Sequence, residues 1–219
     1  MSIISLKNIT KTFKNRAILN NLSLEIAEGK ITCLLGDSGS GKTTILRLIA
    51  GLEKPTNGEI LIADKVVTKE NKILIAPSQR AIGFIFQDLA LWSHMSVYEN
   101  IAFGLKLKKS KNIESKVVDI LEFFGIKQYK QSYPNQISGG QQQLVAIARS
   151  LVLKPKILLM DEPLTNLDIH LKEKMRNQIK ALSDTFHVTI IYVTHDHKEA
   201  FSLADEVFMV ENGKISKKC

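Results

Sequence analysis

Nine residues constrain this chain more than any others: Gly36-Asp37-Ser38-Gly39-Ser40-Gly41-Lys42-Thr43-Thr44. They follow the apolar run Ile31-Thr32-Cys33-Leu34-Leu35 and precede Ile45-Leu46-Arg47-Leu48-Ile49-Ala50, whose apolar residues recur at helical spacing. The stretch therefore predicts a strand, a glycine-rich turn and a helix start in succession. Gly36, Gly39 and Gly41 permit backbone angles that turn several amide N–H groups toward one point. The helix opening near Lys42 adds its own unpaired N–H groups and the positive end of its dipole. Such a loop cradles phosphate. Lys42 then reaches the outer phosphates, and the Thr43 hydroxyl ligates Mg²⁺.

A second apolar run, Ile157-Leu158-Leu159-Met160, delivers Asp161 and Glu162 at its end. In an open α/β sheet that end is the ligand edge. Neighbouring strand residues point to opposite faces, so the two carboxylates take different tasks. Asp161 holds Mg²⁺ through water, and Glu162 polarises the attacking water. His195 follows the β-branched run Val188–Thr194 at the same edge, where its imidazole can approach a γ-phosphate. Gln87 ends the short apolar strand 82–86, and its neutral amide can ligate Mg²⁺ there. Phe13, in a loop between early strands, offers a face for adenine. His94, His170, His187 and His197 have no such placement. Ser138-Gly139-Gly140-Gln141 opens another helix and forms a second anion-facing nest. One chain with a single phosphate loop has no use for it unless it serves the nucleotide of a second copy.

With 219 residues and 44% apolar content, the chain can bury one sizeable core. No apolar run approaches the ~20 residues that span a bilayer, and Lys7, Asn8, Thr10 and Lys11 interrupt the N-terminal stretch as no signal peptide would. The net charge of +8 suits an acidic partner, although Lys106, Lys108, Lys109, Lys111, Lys214, Lys217 and Lys218 read as solvated helix ends and a tail. Cys33 and Cys219 make neither a disulfide framework nor a metal spacing, which fits a reducing cytoplasm.

Strands are expected over 3–9, 18–27, 59–62, 82–86, 156–161, 187–194 and 206–210, and helices over 97–107, 113–124, 140–153, 168–182 and 196–203. Their alternation implies a mainly parallel, doubly covered sheet. Between 88 and 138 the pattern turns helical. Leu89, Leu91, Trp92, Met95, Val97 and Tyr98 are unusually apolar for a loop and suggest a docking groove for a partner helix.

These elements, in this order, resemble the nucleotide-binding subunits of ABC transporters, and the likeness runs essentially end to end. Gly36–Thr43 matches the Walker A motif, Gln87 the Q-loop, and Ser138–Gln141 the signature motif. Ile157–Glu162 matches Walker B with its catalytic glutamate, and His195 the switch histidine. Leu164-Thr165-Asn166-Leu167-Asp168 resembles the D-loop that joins two subunits. Phe13 falls where the family places its adenine-stacking aromatic. Ile137, Leu144 and Asn166 depart from the usual residues without removing a catalytic group.

The resemblance implies an α/β fold: a P-loop NTPase core with a mainly parallel sheet, an N-terminal antiparallel β subdomain and a helical subdomain. Residues 1–87 and 139–219 would form the core with its β subdomain, and 88–138 the helical subdomain of a single ATPase domain. It also implies ATP and Mg²⁺, a head-to-tail dimer with a second copy or a paralogous ATPase, and catalysis by Glu162, His195, Lys42 and Gln87. Integral-membrane permease subunits, an extracytoplasmic solute-binding protein and a place at the cytoplasmic face of the membrane complete the expectation; no nucleic acid is expected. Pro77-Ser78-Gln79-Arg80-Ala81-Ile82-Gly83 and Tyr98-Glu99-Asn100-Ile101-Ala102-Phe103-Gly104 look like importers of ferric iron, polyamines, sulfate or sugars. Those relatives usually continue into a C-terminal regulatory barrel, whereas this chain stops at Cys219. An export or envelope system, or a nucleic-acid- or ribosome-associated ABC ATPase, stays open as an alternative.

Overall fold

The computed structural model describes residues 1–165 and 167–218, so Asn166 and Cys219 lie outside it. The chain runs β1 (Ser2–Phe13), β2 (Arg16–Ala27), β3 (Ile31–Leu35), α1 (Lys42–Ala50), β4 (Asn57–Ile62), β5 (Lys65–Lys69), β6 (Lys72–Ile73) and β7 (Ile82–Ile85). The helices α2 (Val97–Leu107), α3 (Ile113–Phe123) and α4 (Gly139–Leu151) follow. Then come β8 (Ile157–Asp161), α5 (Ile169–Phe186), β9 (Thr189–Thr194), α6 (His197–Leu203), β10 (Glu206–Glu211) and β11 (Lys214–Lys217).

Two sheets organise these elements. The central one has the order β11-β10-β3-β9-β8-β7, parallel except for the edge strand β11. The other is antiparallel, β2-β1-β4-β5-β6. β3 and β8 are buried at every residue, as parallel strands covered on both faces must be. Strand alternation then splits the core. Leu34, Leu159, Ile191 and Val193 face α1 and the antiparallel sheet. Cys33, Leu35, Met160, Ile190 and Tyr192 face the helices packed on the other side. Ile45, Leu46, Leu48 and Ile49 of α1 are fully buried between the two sheets. At ~1.5–3 kcal/mol for each such side chain, that burial fixes the helix far more firmly than its nine residues could alone.

Several boundaries differ from the sequence expectation. Phe13 is not in a loop: it is the last residue of β1, paired with Arg16 across the hairpin that Lys14 turns at φ 52. His187 does not begin a strand but closes α5 in a left-handed conformation, and β9 starts at Thr189. Strands β5, β6 and β11 lacked a clear apolar alternation and were not expected. The apolar loop after Gln87 turns largely inward. Val97 is wholly buried, and Leu89, Leu91 and Tyr98 pack on the core. The buried Asn100 side chain accepts from Trp92 N at 3.0 Å and donates to Met95 O at 3.0 Å, tying the loop to α2.

Arg80 ties α1 to the antiparallel sheet. Its guanidinium, 5% exposed, donates to the carbonyls of Leu48 and Ile49 at the end of α1, to Val67 O and Thr68 Oγ1 of β5, and to Ile75 O. Burial pulls its pKa down to about 10. Arg80→Met leaves these acceptors unpaired and is expected to lower unfolding free energy by about 3 kcal/mol or more in urea titrations. Arg80→Lys should recover less than half, because an ammonium cannot reproduce the fork.

Candidate active site

The phosphate-loop residues connect β3 to α1. Gly41 sits at the helix N-cap with φ 108, and a Cβ there would lie 2.8 Å from Leu19 Cδ2, so only glycine fits. No side chain caps α1 and no acid occupies its first turn. The N–H groups and positive dipole end are left facing the loop. Lys42 is 4% exposed, and its ammonium donates to Gly36 O and Asp37 O, each at 2.7 Å. Burial lowers its pKa, while Glu162, Asp161 and Asp37 pull the other way. Ser40 Oγ is buried without a hydrogen-bond partner. A buried cation whose hydrogen bonds go to carbonyls suits an anion.

Asp161 ends β8 on the face of the sheet that carries Ile157 and Leu159, the face α1 covers. There Thr43 Oγ1 donates to Asp161 Oδ1 at 2.9 Å. A hydroxyl and a carboxylate in contact are hard oxygen donors, and the pair fits Mg²⁺. Burial raises the Asp161 pKa above the usual carboxylate value and Glu162 raises it further, against the Thr43 hydrogen bond and the charge of Lys42.

Glu162 leaves the strand by a different route from simple alternation. Its φ is +45, a left-handed value rare outside glycine and asparagine. Its N–H still donates to Val193 O at 3.0 Å, while its side chain swings into the cleft. There Oε2 meets His195 Nδ1 at 3.1 Å and accepts from Thr165 Oγ1 at 3.1 Å. A carboxylate only accepts, so Nδ1 donates in this pair and Nε2 is left for another partner. Strained backbone of this kind persists where its surroundings over-determine it.

These groups meet in one cleft of about 530 Å³ that gathers Phe13, Lys42, Thr43, Gln87, Glu162 and His195. Asp37, Ser38, Gly39, Gly41 and Thr44 also line it. The Phe13 ring is 43% exposed and has Lys11 Nζ 4.4 Å from its centroid. A neighbouring cleft of about 550 Å³ lies across the loop, against Arg16 and the 210–213 turn, and holds Ser40. It lacks Lys42 and both the acid and the imidazole, so the chemistry lies in the first.

Ser138, Gly139, Gly140 and Gln141 line neither cleft. Ser138 caps α4 in a reciprocal box: its Oγ accepts from Gln141 N, and Gln141 Oε1 accepts from Ser138 N at 2.8 Å. Asp168 caps α5, accepting from Leu171 N at 2.9 Å; Asn166 of the same stretch lies outside the described residues. Leu144 is buried in the core. Sequence reasoning missed Arg149, which donates to Leu89 O and Ala90 O at 2.8 and 2.6 Å, two left-handed residues in the turn that follows Gln87. Its position in α4 carries no local signal of that contact.

The ABC transporter family model matches residues 19–165. The chain belongs to the ABC transporter family. It is 48% identical over 216 residues to the Fe(3+) ions import ATP-binding protein FbpC of Vibrio cholerae, and 44% identical to the protein of the same name from Escherichia coli O157:H7. These alignments cover 98% of the chain but only 60–61% of the relatives, so the chain spans about 60% of the length of the curated relatives it matches. Among solved structures it is similar to a nucleotide-free ATP-binding cassette from an ABC transporter (TM-score 0.85, 27% identity, 99% of this chain and 91% of that one). It is also similar to a dimeric post-hydrolysis ATP-binding cassette bound to ADP and Pi (TM-score 0.86, 32% identity, 98% and 97%).

Because its pKa is raised by folding, Asp161 stabilises the fold when protonated, and that contribution is lost as pH rises from 3.8 through the raised value. Asp161→Asn removes the cost of the buried charge and keeps an acceptor for Thr43. In thermal melts without nucleotide at pH 7 it should raise Tm. The gain should shrink toward pH 4.

Proposed function

We propose that this chain is the ATP-binding and ATP-hydrolysing subunit of an ABC importer, dimerising around ATP to drive a separate membrane permease. The carrying observation is that one cleft holds Lys42, Thr43 beside Asp161, Glu162 beside His195, and the exposed Phe13 ring, while the Ser138 nest of the same chain lies outside it. The nest then serves the nucleotide of a second copy or a paralogous ATPase. Residues 1–219 act as one ATPase domain in this reading, with 88–138 as its helical subdomain.

Each residue has a physical task. Lys42 exchanges its two carbonyl acceptors for outer phosphate oxygens, which relieves the desolvation of its ammonium. The Asp37–Thr44 amides and the open end of α1 hold the phosphate chain. Phe13 stacks on adenine, and Thr43, Gln87 and Asp161 would hold Mg²⁺. When bound, Mg²⁺ would neutralise the charge that develops on the phosphates. Glu162 orients water and accepts its proton. His195, anchored through Nδ1, directs Nε2 toward the γ-phosphate. Ser138, Gly139, Gly140 and Gln141 offer helix N–H groups to the partner's nucleotide, and Asp168 lies at the dimer seam.

No helix among the described residues is long and apolar enough to cross a membrane. The chain works from the cytoplasmic face through permease subunits, with an extracytoplasmic solute-binding protein supplying cargo. Identity of 44–48% to proteins named for Fe(3+) import supports ferric ion as that cargo.

Glu162→Gln is expected to keep ATP affinity, to lose turnover by at least about a hundredfold, and to elute as a dimer with ATP in size exclusion. Steady-state hydrolysis at the wild-type rate would overturn the assignment. Lys42→Ala should weaken ATP binding itself by at least about tenfold in calorimetry.

A further inference from the structure

α6 carries a buried acid that the proposed chemistry does not use. Glu199 is 3% exposed, and both its oxygens are occupied. Oε2 accepts from Tyr192 Oη at 3.0 Å and from Thr194 Oγ1 at 2.9 Å. Oε1 accepts from Lys172 Nζ at 2.9 Å. The fold explains the convergence: Tyr192 and Thr194 share one face of β9, two residues apart, and α6 returns across that face. Thr194 Oγ1 also accepts from Asp196 N at 3.0 Å, so the hydroxyl under Glu199 fixes the turn that carries His195.

Lys172 sits in the first turn of α5, which Asp168 caps. Next to it, Leu171 lies against Gly140, where a Cβ would come 2.5 Å from Leu171 Cδ2. A contiguous path therefore leads from the nest at Gly140 through Leu171 and Lys172 to Glu199, and on through Thr194 to His195 and Glu162. Its two ends serve different nucleotides in the dimer proposed above, on which this inference rests. We propose that the Lys172–Glu199 ion pair is a positioning element, setting the His195 imidazole against Glu162 according to where the α4 and α5 helix starts lie. A charge-assisted pair whose acid is buried is suited to this because it holds one geometry firmly and breaks at a discrete cost.

The two ends of the pair can be cut separately. Glu199→Gln keeps an oxygen for the two hydroxyls and turns its amide N–H₂ toward Lys172, severing only the link to α5. Lys172→Met severs the same link from the other side, and Lys172→Arg restores a cation. In ATP hydrolysis by the purified protein, each severing variant should lower kcat by about tenfold with KM within about twofold. Lys172→Arg should stay within about twofold of wild type, and the double variant should be no worse than either single one. In nucleotide-free protein, the ¹⁵N resonances of the His195 ring should shift in Lys172→Met and Glu199→Gln but not in Lys172→Arg. Losses that multiply in the double variant, kcat preserved alongside a lowered Tm, or unmoved His195 resonances would each overturn the proposal. Wild-type protein without ATPase activity would instead count against the proposed function, and the resonance shifts would still decide this one.

Discussion

The parallel hydrogen-bond register of β3, β9 and β8 is the constraint on which the rest of the structure depends. Leu35 pairs with Thr194, and Asp161 with Val193. Three segments separated along the chain thereby end at one edge, so the phosphate loop, the acidic pair and His195 leave the sheet together. A shift of one residue in β8 would turn Asp161 from the face that α1 covers to the opposite one. The contact of Thr43 with Asp161 is a direct product of that register.

The cleft is held open against its own electrostatics. Burial lowers the pKa of Lys42 and raises that of Asp161, so each charged form is stabilised less than it would be in water. Glu162 occupies a left-handed backbone position, and Ser40 Oγ lacks a partner. These features share a cause. The scaffold, through the fully buried face of α1 and the Arg80 hydrogen bonds, imposes an arrangement the local groups would not choose. Polyphosphate and a divalent cation would satisfy most of them at once, which makes binding and local stabilisation the same event.

The two faces of the central sheet divide the labour. On one, α1 and the antiparallel sheet support the loop and Phe13. On the other, α4, α5 and α6 pack over Cys33, Met160 and Tyr192 and carry the groups that reach beyond the cleft. Glu199 and Arg149 both act on that second side, one beneath the His195 turn and the other behind the turn after Gln87.

Local sequence determined what local forces control. Runs of apolar residues long enough to be buried on two faces identified β3, β8 and β9, and apolar residues at helical spacing identified α2 over the span 97–107. The glycine pattern before Lys42 identified the loop because few other chemistries need it. Tertiary structure decided the rest. Short strands such as Lys65–Lys69 owe their conformation to their neighbours' hydrogen bonds rather than to their own pattern. The inward turn of Val97, the left-handed backbone of Glu162 and the partners of Arg80, Arg149 and Lys172 depend on residues brought close only by sheet register and helix packing. Periodicity records which face of an element is buried, and it carries no information about which distant side chain will meet it there.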